Sequence, residues 1–251
     1  MRKVFIAFVC LVSATFTFAE TPKSSELSAK VVQFFTQLED TNFEAYLKRV
    51  RPTKVSAEFK AQVLAQLNQP DNSSEKLNAK LTAALLPILQ YHDRADVLAI
   101  KVITTREAVV GVQARAVLLI SENVLRMLST AELQAVVAHE LGHEYFWNEL
   151  MEARRQKNYE RMREIELRCD GIAVIAMQRL GLDTTKLLSA LTRIQTHNVQ
   201  LATANPMPYP KADERAQFIQ AMRELVQARN GQSKNARHLG TQVLRVSSRE
   251  A

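Results

Sequence analysis

The stretch STAELQAVVAHELGH, residues 129–143, decides how this chain folds and what it is built for. Ser129 followed three residues later by Glu132 is a capping box, the pattern that begins a helix. The apolar residues that follow keep a helical spacing. We therefore predict a helix that starts just after Ser129. Residues four apart share one face of a helix, so His139 and His143 lie side by side on this one.

The last five residues of the stretch, His139 to His143, spell HExxH. Two imidazoles on one helix face can bind the same ion, and Glu140 can then act on a water molecule beside it. This pattern is typical of zinc peptidases. The alternative is an exposed polar face that carries two histidines without a ligand. Only five histidines occur in 251 residues, which argues against a chance pairing.

A catalytic zinc ion needs a third protein ligand besides the two histidines. Glu166 and Asp170 follow on the next predicted helix, four residues apart and hence on one face. Glu166 can bind the ion, and Asp170 can accept a hydrogen bond from the free N–H of a liganding imidazole. The alternative for this pair is a solvated acidic face matched to nearby arginines. The upstream HExxH favours the ligand interpretation.

These motifs resemble the M48 family of zinc metallopeptidases, which are gluzincins. The family runs from a strand through a capped HExxH helix to an ExxxD motif on the next helix, as do residues 116–143 and 166–170 here. Residues 181–183 (GLD) and 209–215 (YPKADER) are similar to its downstream elements. The likeness covers about residues 88–222. The chain departs from the family pattern in three places: AVVGVQARA at 108–116 in place of an Asn-Ala-Phe-like edge strand, Tyr209 in place of the histidine of His-Pro, and Cys169 in place of alanine.

The resemblance implies a zincin-like core and an endopeptidase that acts on polypeptides, such as envelope or misfolded proteins. One zinc ion per chain would be held by His139, His143 and Glu166, and it would activate a water molecule with Glu140 as general base. A strand near residues 116–120 would pair with an extended peptide through an exposed edge. The candidates for stabilising the oxyanion are Tyr209, Arg215 and His197, and the bland alternatives for them are a loop residue, a salt bridge and a helix-end residue.

The rest of the chain predicts an α+β fold that is mostly helical. A helical N-terminal region is expected at residues 20–87. Two apolar stripes, which end at Leu67 and Leu89, indicate helices over about residues 24–91. A peptidase domain follows at residues 88–227. It begins with two or three strands of a small sheet, at 97–103, 108–112 and 116–120. Later helices are expected at about 159–180, ended by Gly181, at about 184–195, and from near Asp213. Residues 228–251 are expected to form a flexible basic tail.

The first nineteen residues are expected to be a secretory signal peptide, with an uncleaved anchor as the lesser alternative. Arg2 and Lys3 precede an apolar run, and Ala19 suits a cleavage site. Their removal lowers the formal net charge from +7 to +5. We expect a periplasmic or secreted protein with no stable membrane span after cleavage, and the charge is compatible with peripheral association with envelope lipids. The basic residues at 154–168 alternate with glutamates, which indicates a solvated, ion-paired face rather than a nucleic-acid site.

Two other functions remain open from the sequence alone. The domain could be a peptidase-like chaperone or assembly factor, although such a module has no physical need of Glu140. It could also be a latent protease, in which a loop or the tail occupies the fourth position on zinc. Cys169 is the only cysteine left after removal of the signal segment, and we expect it to be a small buried apolar residue rather than a nucleophile.

Overall fold

The structure is a computed structural model that describes residues 24–38, 42–67, 74–201 and 209–247, with side chains described between 26 and 229. The helices in these ranges are α1 (Ser24–Thr36), α2 (Phe43–Arg49), α3 (Ala57–Gln66), α4 (Glu75–Tyr91), α5 (Glu122–Met127), α6 (Thr130–Tyr145), α7 (Trp147–Arg155), α8 (Tyr159–Arg179), α9 (Thr185–Gln200) and α10 (Ala212–Ser247). The strands are β1 (Ala99–Ile103), β2 (Val110–Gln113) and β3 (Val117–Ser121). The predicted α+β class, mostly helical, is confirmed.

The three strands form one mixed sheet in the order β1-β3-β2. β1 runs parallel to β3 with Ala99 beside Val117, and β2 runs antiparallel to β3 with Val110 beside Ile120. Each strand lies within two residues of its predicted position. The expectation that residues 116–120 form an exposed, peptide-binding edge is wrong, because β3 is the central strand and is paired on both sides. The sequence pattern predicts strands but not their order in the sheet. One edge of the sheet is formed by β2 and the other by β1.

A two-residue turn joins β2 to β3, and both of its central residues have left-handed backbone angles. Ala114 has φ of 48° and Arg115 has φ of 58°, values that normally favour glycine or asparagine. The turn is closed by a bond from the Ala116 N–H to the Gln113 carbonyl, 3.0 Å long. The Arg115 guanidinium donates to the Thr53 carbonyl, and this contact helps to hold the strained turn.

Local sequence signals set the ends of the two central helices. Ser129 Oγ accepts from the Glu132 N–H and Glu132 Oε2 accepts from the Ser129 N–H, so the predicted capping box at the start of α6 is confirmed. α8 ends as predicted at Gly181, whose φ of 69° suits glycine, and the Leu182 N–H bonds back to the Met177 carbonyl. α9 runs to Gln200, five residues beyond its predicted end.

The core joins the N-terminal helices to the helices that carry the motifs. Phe35 of α1 lies directly over Gly171 of α8, where a Cβ atom would collide with its ring. Leu85 of α4 is fully buried in the same apolar cluster as Val137 of α6. The predicted boundary after residue 87 falls inside α4, because the helix continues through Pro87 to Tyr91. The N-terminal helices thus support the helices that carry the site.

Part of the predicted solvated face at 154–168 is buried. Glu164 is only 2% exposed and is paired with Lys30, Arg161 and Arg168. Arg163 is also buried and donates to Glu214 at 2.8 Å. The ion pairing is confirmed, but the solvation is wrong here, because α1 and α10 both pack against α8 and cover more than one of its faces.

The two ends of the chain bear on the remaining expectations. The predicted signal peptide, residues 1–19, lies outside the described residues. The predicted tail from residue 228 begins within α10, whose helix runs to Ser247, and its flexibility stays a prediction. Within the described ranges, no helix combines the length and the apolar character needed to cross a membrane.

Candidate metal centre

The C-terminal half of α6 brings together His139, Glu140 and His143. The two imidazole rings are 5.0 Å apart and nearly perpendicular. One donor atom from each of the three residues lies within 4.8 Å of the others, so the group could hold a metal ion. His139 is buried and the other two are half-buried, which leaves the cluster open on one side.

α8 places Glu166 opposite both histidines. Glu166 Oε2 is 3.4 Å from His139 Nε2, and Glu166 Oε1 is 3.6 Å from His143 Nε2. Ligand atoms at tetrahedral angles around zinc, each about 2.0–2.2 Å from it, lie about 3.3–3.6 Å from one another. The spacing of the three side chains therefore fits a shared ion better than it fits direct hydrogen bonds.

Gly142 allows α6 and α8 to approach this closely. A Cβ atom at Gly142 would lie 2.9 Å from Cys169 Cα and 3.1 Å from the Cys169 carbonyl oxygen, closer than such atoms pack. Any side chain at this position would push the backbone of α8 away. The small residue inside HExxH thus sets the distance between the helix of the two histidines and the helix of Glu166.

The Nδ1 nitrogen of each histidine has its own partner on α8. His139 Nδ1 is 2.7 Å from Asp170 Oδ1, and Asp170 is completely buried, so the predicted pairing is seen in the structure. His143 Nδ1 is 3.3 Å from Cys169 Sγ. Sequence reasoning treated Cys169 as a buried apolar residue and missed this contact. Its position three residues after Glu166, on the same helix face, was the available signal.

Arg215 lies behind the carboxylates rather than at the open side of the cluster. Its Nη2 donates to Glu166 Oε2 at 2.8 Å, and its Nη1 donates to Asp170 Oδ1 at 3.3 Å. Burial on its own would raise the pKa of Glu166, but His143, His139 and Arg215 together hold that pKa well below its ordinary value. Arg215 therefore orients the acidic residues, and together with the two histidines it favours the ionised form of Glu166.

The titration of the histidines and of Glu140 reflects the mixed charge of the site. Burial lowers the pKa of His139, but Asp170 and Glu166 outweigh it and raise that pKa to about 10. Burial lowers the pKa of His143 to about 4 against the pull of Glu166. Desolvation, opposed by His139 and reinforced by Glu166, raises the pKa of Glu140 to about 7. A carboxyl group with that pKa can both accept and return a proton near neutral pH.

The other two oxyanion candidates and His92 occupy different surroundings. Tyr209 is 45% exposed, and its partial burial, with the charges of Glu166 and Glu140, raises the pKa of its phenol well above the ordinary value. His197 Nε2 is instead 3.2 Å from the Arg106 carbonyl, in the loop before β2. His92 is buried with Nδ1 3.0 Å from the Tyr145 hydroxyl.

β2 passes close to the cluster at Gly111. A Cβ atom at Gly111 would lie 4.0 Å from Glu140 Oε2, so β2 approaches that carboxylate closely. Val110 to Gln113 are all half-buried. The part of the sheet beside the site is therefore the edge strand β2.

A buried ion cluster anchors the C-terminal end of α6, next to the site, and sequence reasoning missed it. Arg94 Nε donates to Glu144 Oε2 at 3.0 Å, and Arg115 Nε lies 3.5 Å from the same oxygen. Arg94 also donates to the Pro52 carbonyl at 2.6 Å. These bonds tie the residue after His143 to the turn that ends β2, so the helix and the strand keep a fixed relation.

No protein-family model matches this chain, and no curated protein matches it in sequence. The resemblance to the M48 family therefore rests on the motif residues themselves and stays a prediction.

Proposed function

We propose that this chain is a zinc-dependent endopeptidase of the gluzincin type, with a zincin-like core. The observation that carries the proposal is the facing arrangement of His139 Nε2, His143 Nε2 and the two oxygens of Glu166, at 3.4 and 3.6 Å, with Glu140 beside them. A solvated acidic face, the alternative for Glu166, is at odds with its 9% exposure and with its contacts to both imidazoles.

His139, His143 and Glu166 would hold one zinc ion. When bound, zinc would supply Lewis-acid polarisation of the scissile carbonyl and a lowered pKa for water. The chain's own groups support that arrangement. With Nε2 as the ligand atom, the Nδ1–H of His139 donates to Asp170, and this bond fixes the tautomer and the orientation of the ring. Arg215 holds both carboxylates in place from behind.

Glu140 would serve as general base and then as general acid. Its position beside the histidines and its pKa of about 7 suit a group that takes a proton from water and returns it to the leaving amine. The extended substrate would lie along β2, where free backbone groups bind a peptide regardless of its side chains. That strand lies close to Glu140 at Gly111, so a peptide bound along it would have its scissile bond near the carboxylate.

Tyr209 is our candidate for the donor to the oxyanion. Both terminal nitrogens of Arg215 already donate to Glu166 and Asp170, so Arg215 is assigned a positioning role. Tyr209 is 45% exposed as a residue, and its phenol lies near enough to Glu140 and Glu166 for their charges to raise its pKa. An exported location and envelope or misfolded proteins as substrates form part of the same proposal, and they depend on the apolar leader at residues 1–19.

The test is metal content measured together with peptide cleavage. The purified protein should contain about one zinc ion per chain. It should cleave an unfolded protein, lose that activity with a chelator and regain it with zinc. Glu140→Gln should keep the zinc while cleavage falls by about 10²–10⁴-fold, because the proton carrier is gone. Undiminished turnover in this variant would remove Glu140 from its role. A zinc-loaded wild-type chain without peptidase activity would favour the chaperone or latent alternatives.

A further inference from the structure

The backbone of β2 presents its polar groups alternately to β3 and to the open edge. In an antiparallel pair, every second residue exchanges hydrogen bonds with the partner strand. The Ser121 N–H donates to the Val109 carbonyl at 2.8 Å, so Val109 and Gly111 face β3. Val110 and Val112 therefore direct their N–H and C=O groups away from the sheet. In the described part of the chain, no further strand pairs with this edge.

Two residues before β2, along the same edge, a side chain already bonds to the outward backbone groups. The Ala108 N–H donates to Asn198 Oδ1 at 2.8 Å, and Asn198 Nδ2 donates to the Ala108 carbonyl at 3.0 Å. The amide of asparagine carries the same donor and acceptor as a peptide unit. Asn198, near the end of α9, thus makes the bonds at Ala108 that a paired strand would make.

We propose that Asn198 closes one end of the peptide-binding edge and so limits how many substrate residues the protein can contact. The inference rests on the proposed endopeptidase function. At the other end, the strand stops at Gln113, where the left-handed turn begins. A bound peptide then has only Val110 and Val112 as backbone partners, on either side of Gly111 and Glu140. The substrate class is a short extended segment of polypeptide, with no bonded subsite beyond Val110.

The experiment measures peptide binding to zinc-loaded Glu140→Gln protein, which does not turn the peptide over. End-blocked peptides of one sequence are lengthened by one residue at a time, separately at each end, and their dissociation constants are compared. In the protein with Asn198 intact, tightening should stop at one end after the residue that faces Val110. With Asn198→Ala added, one more step at that same end should tighten binding about tenfold, which corresponds to about 1.4 kcal/mol from the freed pair of bonds.

Gln195→Ala, an exposed substitution on the same helix, is the matched control and should leave the length dependence unchanged. Amide hydrogen exchange gives a second readout: the peptide should add protection at Val110 and Val112 in both proteins, and at Ala108 only when Asn198 is replaced. The series with Asn198 intact needs no change at this position, so it decides the question even if Asn198→Ala is less stable.

Equal gains at both ends with Asn198 intact, or no new gain in the variant, would overturn the inference while leaving the peptidase proposal standing. A wild-type protein that neither binds nor cleaves any peptide would overturn both.

Discussion

The two sides of the site are built in different ways. The inner wall, made by α6, α8 and Arg215, is largely buried, and its candidate ligands are held by neighbouring side chains: His139 by Asp170, and Glu166 by Arg215. The outer wall, made by β2 and Tyr209, is half-exposed and has open backbone groups. Under the proposed function, the inner wall would hold the metal ion and the outer wall would bind a flexible polypeptide.

The largest expected effect comes from removing a ligand of the inner wall. Glu166→Gln should lose bound zinc during gel filtration in metal-free buffer, since a neutral amide is a weaker ligand and the catalytic site keeps only two histidines. Inductively coupled plasma mass spectrometry measures the metal. Glu160→Gln, exposed on the same helix, is the control and should keep its zinc. Full retention of zinc by Glu166→Gln would show that Glu166 is not the third ligand, and the contrast between the two walls would then fail.

A change in the outer wall should affect turnover but not metal content. Tyr209→Phe removes only the hydroxyl, and loss of one oxyanion donor costs about 10²–10³-fold in kcat. Steady-state cleavage of a fluorogenic peptide measures this. Tyr159→Phe, an exposed tyrosine on α8, should have no effect. If Tyr209→Phe instead lost zinc, Tyr209 would belong to the inner wall; unchanged kcat would exclude the hydroxyl as donor.

Zinc binding should depend more on Asp170, which contacts His139, than on Cys169, which contacts His143. Asp170→Asn should weaken zinc binding by about 10–100-fold, the usual effect of replacing a group that orients a ligand. Cys169→Ala should weaken it less, because sulfur is a weak acceptor and its contact with His143 Nδ1 is longer, 3.3 Å against 2.7 Å. Competition with a chromophoric chelator gives both affinities. Cys169→Ser should restore the wild-type value. An equal loss in both variants would show that the two supports are equivalent.

The smallest effect concerns His92, which contacts Tyr145 at the end of α6, and the stability of the fold at acid pH. Burial, with Arg51 and Arg94 adding to it, lowers the pKa of His92 to about 3. The unfolded chain therefore takes up the proton first, so the stability from neutral His92 is complete above pH about 6.5 and is lost as the pH falls towards 3.

Between pH 6 and 4, this single group should lower the free energy of unfolding by about 1 kcal/mol per pH unit. Urea denaturation of wild type and of His92→Gln, both with chelator, measures the slopes, and all shared titrations cancel in their difference. Parallel slopes would contradict the assignment.

The inner wall was the more predictable of the two. His139, His143, Glu166 and Asp170 could be brought together from the sequence because each pair spans four residues of a single helix, a spacing fixed by local geometry. The capping box at Ser129 fixed the residue at which the helix of the two histidines begins. Cys169 was missed because a thiol contact depends on how closely two helices approach.

The outer wall could not be derived in the same way. The strand pattern located β2 and β3 but not their order, since pairing depends on contacts between residues far apart in sequence. The bonds from Asn198 to Ala108 span ninety positions. The anchor of Glu144 by Arg94 likewise joins residues fifty positions apart. Such long-range bonds leave no periodic trace in the sequence.

Because Gly142 has only a hydrogen atom as its side chain, it affects which ions the site can hold. Because α6 and α8 touch through backbone at this point, the interval between the imidazoles and the Glu166 carboxylate is set by hard atomic contact and not by adaptable packing. For the proposed zinc ion, such rigid spacing favours a cation of similar radius, because a larger one would have to push two helices of the core apart.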